Sequence, residues 1–447
     1  MSDRHRSGFK AQTRLAEALD RLRGAVDPVD RSERIPVTGA VGRVLSAPVT
    51  AERAVPHYDR AAMDGFAVRA RDTFGATDRS PTRLAVGEDV RADAAARVHT
   101  GSELPDGADA VVRIEDVTVR GSDAEVESAV AEGENVAPAG EDVERGETVL
   151  DAGRRVRPSD LGLCKAVGRR RVDVVARPTV GVVPTGEELV DADPAPGEVV
   201  ETNGLTTATL VDRWGGAPTY RDVVDDDREA LRAAVQRDLT RDLVVTTGGT
   251  SVGERDLLPE VVDDLGEVLV HGLAVKPGHP AGFGVVRETP VLMLPGYPVS
   301  CLVTATHLLR PALKRAGRLP VEPHPGTEAT LAEKVASEPG VRTFARVRLD
   351  GGSDGRTKPG DSDDRTRGDD PTRGDDPTRD DHLEQPAPED EPDASGRERP
   401  TARPTRTGGA GVMSSVAEAD GWVVVPESRE GIPAGETVTV ENWEYQP

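Results

Sequence analysis

Leu243-Val-Val-Thr-Thr-Gly-Gly-Thr-Ser-Val-Gly-Glu-Arg-Asp256 is the stretch on which the fold turns. It opens with a short apolar run of the kind that forms a buried strand. It then passes through two glycines, which permit positive φ and close approach of a ligand to backbone N–H groups. Leu257–Leu265 follows with helical periodicity. Strand, glycine loop and helix in that order make half of a βαβ unit, and a loop entering a helix is a place where free N–H groups hold oxyanions. The same pattern also serves as an ordinary βα turn.

The rhythm continues on both sides. Thr179–Val183, Thr219–Val224 and Leu243–Thr246 read as strands, with helices predicted over Asn203–Trp214 and Arg228–Leu239. Further strands are expected at 267–270, 282–286 and 291–294, and a long helix over Pro298–Arg315. Strands alternating with helices imply a parallel sheet covered on both faces. Upstream, a helix is expected over 10–26, then β-rich sequence from about 36 to 150, then a short helix from Pro158 to Val167. Downstream, Arg342–Leu349, Trp422–Val425 and Thr437–Val440 read as strands. The intervening segment repeats Arg-Gly-Asp-Asp-Pro-Thr and holds almost no large apolar residue, so it is expected to be a disordered acidic insertion.

Composition limits the functions open to such a chain. Its 447 residues suffice for two to four domains, with a core built from aliphatic side chains because aromatics are 3%. The formal charge of −24 argues against a general nucleic-acid binder and suits a halophile-like surface. An anion must then be met in a locally positive pocket. Two cysteines, Cys164 and Cys301, and eight scattered histidines form no metal-ligand pattern. The polar N-terminus is no signal peptide, and no apolar run reaches the length of a membrane span, so a soluble cytoplasmic protein is expected.

Several short motifs sit where the expected strands end. In a parallel sheet the loops after the strands line the ligand crevice. Thr185-Gly-Glu-Glu-Leu189 places Glu188 there, although a solvated acid is the plainer reading. Asp225, Asp226 and Asp227 read as a helix-capping cluster. Lys276-Pro-Gly-His-Pro280 carries one of only six lysines, and a compact ammonium suits a tetrahedral dianion. Pro295-Gly-Tyr-Pro-Val-Ser300 ends a strand and starts a helix, again leaving amides free. Asp64 beside Gly65, Thr100 and Asp142 lie in polar turns that carry no special chemistry on their own.

Taken together, nine stretches in order resemble the molybdopterin molybdenumtransferases, the family of bacterial MoeA and the E-domain of gephyrin. They are AAMDGFAV at 61–68, HTGSELPDGADAVV at 99–112, GED at 140–142, PTGEEL at 184–189, TTGGTSVGERD at 246–256, VKPGHP at 275–280, LPGYPVS at 294–300, FAR at 344–346, and GVMSSVAEADGWVVVPE at 411–427. The resemblance implies a multidomain α/β plus β fold. A helical and extended region would span 1–50 and 143–177, with a β-rich domain inserted at 51–142. An α/β parallel-sheet molybdopterin-binding domain would follow at 178–317, and a C-terminal β-barrel at 318–350 and 410–447, interrupted by the acidic insertion at 351–409.

The resemblance also implies chemistry. The substrate would be adenylyl-molybdopterin, into which molybdate, or tungstate, is inserted with release of AMP, assisted by Mg2+. Asp64, Thr100, Asp142, Glu188, Asp226 and Asp256 match family catalytic acids or hydroxyls, and Glu188 and Asp256 are the candidate metal ligands. Gly248, Gly249, Ser251, Gly253, Lys276, Pro295, Gly296, Ser300, Arg346 and Ser414 match substrate-binding positions. A homodimer is implied, in which Asp64, Thr100 and Asp142 complete the partner's site. His279 and Tyr297 depart from the family pattern, which commonly has Lys and Asn there. Two other readings stay open: a molybdopterin adenylyltransferase, distinguished by ATP consumption, and a pterin-binding scaffold without turnover.

Overall fold

The computed structural model describes residues 12–249, 257–350, 399–405 and 413–444. Ser251, Gly253, Asp256 and most of the acidic insertion lie outside the described residues. The chain forms two compact units, one of residues 28–178 and 316–319, the other of 1–27, 179–315 and 320–447.

The first unit is β-rich. Its main sheet has six strands in the order Ala110–Arg113, Gly65–Val68, Ala94–Val98, Thr82–Gly87, Asp123–Val126 and Val117–Arg120. Phe66, Leu84, Val112 and Val126 are buried together in its core. With few aromatics in the chain, valine and alanine fill most of that volume. A second cluster, including Leu45, Leu150, Val156 and Val174, supports the antiparallel pair Ser32–Pro36 and Arg171–Val175. The helix Pro158–Ala166 begins on Pro158, whose missing N–H costs nothing at that position. Its third residue, Asp160, accepts from the Arg157 backbone N–H, so the first turn is closed by a side chain.

The second unit contains the α/β sheet, in the order Ala217–Tyr220, Thr179–Pro184, Leu243–Thr247, Thr289–Leu294, Gly282–Val286 and Glu267–His271. The first four strands are parallel, as the alternating helices require. Gly282–Val286 runs antiparallel to both its neighbours, which corrects the expectation of an all-parallel sheet. The cause is local: only Arg287 and Glu288 separate Val286 from Thr289, and so short a connection can only make a hairpin. The strand expected at 219–224 forms at Ala217–Tyr220, on the sheet edge, where Pro218 needs no ladder partner for its nitrogen. The helix Leu15–Ala25 buries Leu15, Ala18 and Leu22, and Arg21 donates to the Leu269 carbonyl.

The helix expected over Pro298–Arg315 is not uniform. It runs as Pro298–Thr304, a π-helical turn at Ala305–Leu309, and Arg310–Ala316. Pro311 explains the break: it has no N–H for the His307 carbonyl, and its ring crowds that carbonyl, so the turn widens.

The C-terminal part of this unit is a closed barrel. Arg342–Asp350 pairs with Thr401–Pro404, which pairs with Gly326–Leu331, then Thr437–Glu441, then Gly421–Val425, which returns to Arg342–Asp350. Closure removes the exposed edges that an open sheet of this length would present. Leu331, Val347, Val423, Val425 and Val440 fill it, each buried side chain contributing about 1.5–3 kcal/mol. Residues 401–404 were expected to belong to the irregular insertion. They are a strand because Ala402 is the inward residue of a ladder supplied by two neighbours, a role composition does not reveal.

His307 lies in the π-turn and stacks on Phe344 of the barrel at 4.2 Å between ring centres. Burial, with His324, Arg342 and Arg310 nearby, pushes its pKa down to about 3. The folded protein therefore holds this imidazole neutral at pH values where the unfolded chain, titrating near 6.5, is protonated. Its contribution to stability is intact above about 6.5 and is lost as the pH falls toward 3. By pH 5 the loss is about 2 kcal/mol for one such group. Urea unfolding at pH 7 and pH 5 should show a smaller pH penalty in His307→Phe than in the wild type; equal penalties would dismiss the imidazole as the source.

Candidate active site

One cleft of 1420 Å3 lies in the second unit, walled by loops of the α/β sheet on one side and by barrel strands on the other. Its position follows from the topology, since the parallel strands Leu243–Thr247 and Thr289–Leu294 are neighbours and deliver their following loops side by side. The Gly248 N–H donates to the Leu294 carbonyl at 3.0 Å, and a β-carbon on Gly296 would sit 3.5 Å from the Gly248 Cα, so the two glycine loops touch. Gly248 has φ +129°, and a β-carbon there would meet the Thr185 carbonyl oxygen at 2.1 Å. Only glycine fits between the loops that follow Thr179–Pro184 and Leu243–Thr247.

The barrel wall is registered against the α/β domain by main-chain pairing. Val275–Lys276 joins the edge of Arg342–Asp350 in parallel, with Lys276 opposite Thr343. This fixes Lys276 near the strand that carries Arg346 three residues later. Arg346 is half-buried, and burial depresses its pKa. No acid pairs with it among the described residues, and its Nε lacks a hydrogen-bond partner there. Lys334 also lines the cleft with no ion pair among the described residues. Guanidinium stays charged even when burial opposes it, so Arg346 is a cation with no counter-charge among the described residues, lining a cavity.

The Lys276 ammonium is placed differently. It lines the cleft but is 58% exposed and forms a 2.9 Å ion pair with Glu338. Lys276 in turn holds the Glu338 carboxyl below its usual range. An exposed pair of this kind is weak and can exchange partners.

The acids occupy the sheet side. Glu188 and Asp226 line the cleft. Glu188 folds back over Gly186, where a β-carbon would meet its Oε2 at 2.8 Å. The aspartate triplet divides its work. Asp227 caps the helix Arg228–Asp238 by accepting from the Glu229 and Ala230 N–H groups at 3.0 and 2.9 Å, while Asp226 faces the cleft. Gly248, Gly249, Pro295, Gly296 and Ser300 share the same lining. Ser414 is exposed at the start of a short helix and is not part of that lining.

Asp64 and Thr100 come together in the first unit. The Asp64 carboxylate accepts from the Thr100 N–H at 2.6 Å and its hydroxyl at 2.9 Å. These bonds, above all the backbone one, hold its pKa below the ordinary value. Asp142 is exposed in a turn, its N–H donating to the Val55 carbonyl.

Four cleft residues were not singled out in the sequence. Glu201 is buried and caps the helix Asn203–Arg213 by accepting from the Gly204 N–H at 2.6 Å. Asn203 donates to the Gly296 carbonyl at 2.6 Å, tying two loops together. Thr405 and Lys334 come from the barrel. Lysine scarcity, the signal that drew attention to Lys276, applies equally to Lys334.

Comparison with known proteins agrees with this architecture in all three parts. Residues 13–168 match the MoeA N-terminal region (domains I and II), 181–315 a probable molybdopterin binding domain, and 393–443 the MoeA C-terminal region (domain IV). A putative molybdopterin biosynthesis protein of Methanocaldococcus jannaschii is 31% identical over 94% of this chain and 95% of its own. Molybdopterin molybdenumtransferase 2 of Mycobacterium tuberculosis is 36% identical over 71% of this chain and 83% of its own. The crystal structure of a molybdopterin biosynthesis MoeA protein from Pyrococcus horikoshii superposes with a TM-score of 0.73 at 31% identity, covering 98% of this chain and 100% of that one. These matches define the class as a transferase of molybdenum cofactor biosynthesis. The chain belongs to the MoeA family, whose curated members include molybdopterin molybdenumtransferases.

Proposed function

We propose that the cleft gathers molybdate and adenylyl-molybdopterin, and that insertion of the metal into the dithiolene releases AMP. The single observation that carries this reading is Arg346, a half-buried guanidinium without an acid partner among the described residues, in a cleft whose other wall is acidic. Arg346, Lys334 and Lys276 supply positive charge on the barrel side. Gly249 lines the opposite wall, where a backbone N–H is a neutral donor. A doubly negative tetrahedral oxyanion suits that set, whereas the protein's overall charge repels it elsewhere.

The acid side fits a magnesium ion. Mg2+ is bound through one or two carboxylates together with phosphate oxygens and water, so no cage of protein ligands is needed. Glu188 with Asp256 would hold it, and it would neutralise charge on the adenylyl phosphate. Glu188 has an exposed carboxylate free to turn from Gly186 toward that phosphate. In the first unit, Asp64 is held anionic by Thr100 and open to solvent. In our reading Asp64, Thr100 and Asp142 complete the cleft of a second copy in a homodimer. No described helix is long and apolar enough to cross a membrane. We place the reaction in the cytoplasm, with the acidic surface an adaptation to high salt.

The test is incubation with adenylyl-molybdopterin and molybdate, measuring AMP released and metal retained on the pterin. The wild type should release AMP in step with metal uptake and consume no ATP. Lys276→Ala and Asp256→Ala should each abolish AMP release. Full release by either variant would refute the site, and ATP-dependent formation of the adenylate would favour an adenylyltransferase.

A further inference from the structure

We propose that the Tyr297 ring is the stacking platform for a flat, fused nitrogen heterocycle of the substrate. Tyr297 lines the cleft with 65% of its surface exposed. An exposed tyrosine on a convex surface needs no explanation, but this one sits in a concavity that must receive planar rings. The other aromatic side chain in the lining, Phe344, is buried and has a face covered by His307. Tyr297 makes no ring contact with any described residue.

Its presentation is rigid. Pro295 and Pro298 flank the turn and restrict its backbone. Asn203 holds the Gly296 carbonyl at 2.6 Å, and the Tyr297 carbonyl accepts from the Cys301 N–H at 2.9 Å. Ordering a two-torsion aromatic side chain on a fixed turn loses little entropy on binding. A π-face so held accepts any flat heteroaromatic ring and reads none of its edges.

The inference rests on the proposed cleft chemistry, where two such rings are available, adenine and pterin. Calorimetry on the full chain with AMP and with pterin-6-carboxylate as probes separates them. Tyr297→Ala should weaken at least one probe by about fivefold or more. It should raise KM for adenylyl-molybdopterin by a similar factor and leave kcat within about twofold. Tyr297→Phe and Tyr297→Trp should restore both values, and the probe that responds names the ring. Unchanged affinities and KM in Tyr297→Ala would overturn the platform alone, as would a Tyr297→Phe as weak as alanine. A wild type that binds neither probe and releases no AMP would overturn both the platform and the cleft chemistry. The urea midpoint should not move in any of the three variants, since the ring packs against little.

Discussion

Arg346→Ala should reduce molybdate retention about 100-fold or more while leaving the protein at least as stable as before. The functional loss follows from removing a preorganised cation from a half-buried site, where such donors are worth far more than in water. The undiminished stability follows from the absence of a counter-charge among the described residues. Burial opposes this guanidinium, and no described acid offsets that cost, so deleting it relieves the fold of an unfavourable group. Arg346→Lys should recover only part of the binding, because a point charge does not reproduce the planar fork. Equilibrium dialysis with molybdate and a urea titration on the same samples settle the matter. A variant that unfolds more readily than the wild type, or that keeps its molybdate, would make Arg346 a structural residue.

The second large effect is expected at Gly248. Gly248→Ala would drive a methyl group to 2.1 Å from the Thr185 carbonyl, at a φ that L-residues rarely adopt. The carbonyl is backbone and cannot swing away. The loop after Leu243–Thr247 must shift, and the Gly296 loop touching it must shift too. Destabilisation of about 2–4 kcal/mol is the expected range for strain of this kind. Because these loops carry the cleft, AMP release should fall below detection even in the fraction that remains folded. Unfolding midpoints and turnover measured below the melting transition distinguish the two losses. Normal turnover in Gly248→Ala would mean the loops do not need their present spacing.

Much of this site was readable from residues alone, for a physical reason. The motifs at 185–189, 246–249 and 295–300 mark where strands stop and loops enter the cleft, and that pattern is written locally. What escaped was set by distant chain or by atypical turns. The antiparallel edge of the α/β sheet turns on Arg287-Glu288, with Arg287 at φ +58°, and this pair lacks the Asn-Gly or Asp-Gly signature of a tight hairpin. The π-turn at Ala305–Leu309 follows from Pro311, whose effect falls four residues upstream of itself. Arg346 could be matched as a motif, but its half-burial without an acid partner among the described residues exists only once the barrel has closed. Glu201 and Asn203 act through helix capping and loop tethering, which leave no periodic trace.

The barrel's seam has a further meaning for how this chain could have been elaborated. Asp350 and Thr401 stand opposite each other on one ladder rung, so the points where residues 351–400 leave and rejoin the ring are side by side. Joining adjacent ends by a longer excursion costs only about 0.6 kcal/mol for each doubling of its length. That excursion can therefore be lengthened, shortened or recomposed at little cost to the ring, while Arg346 on the strand it leaves keeps its station.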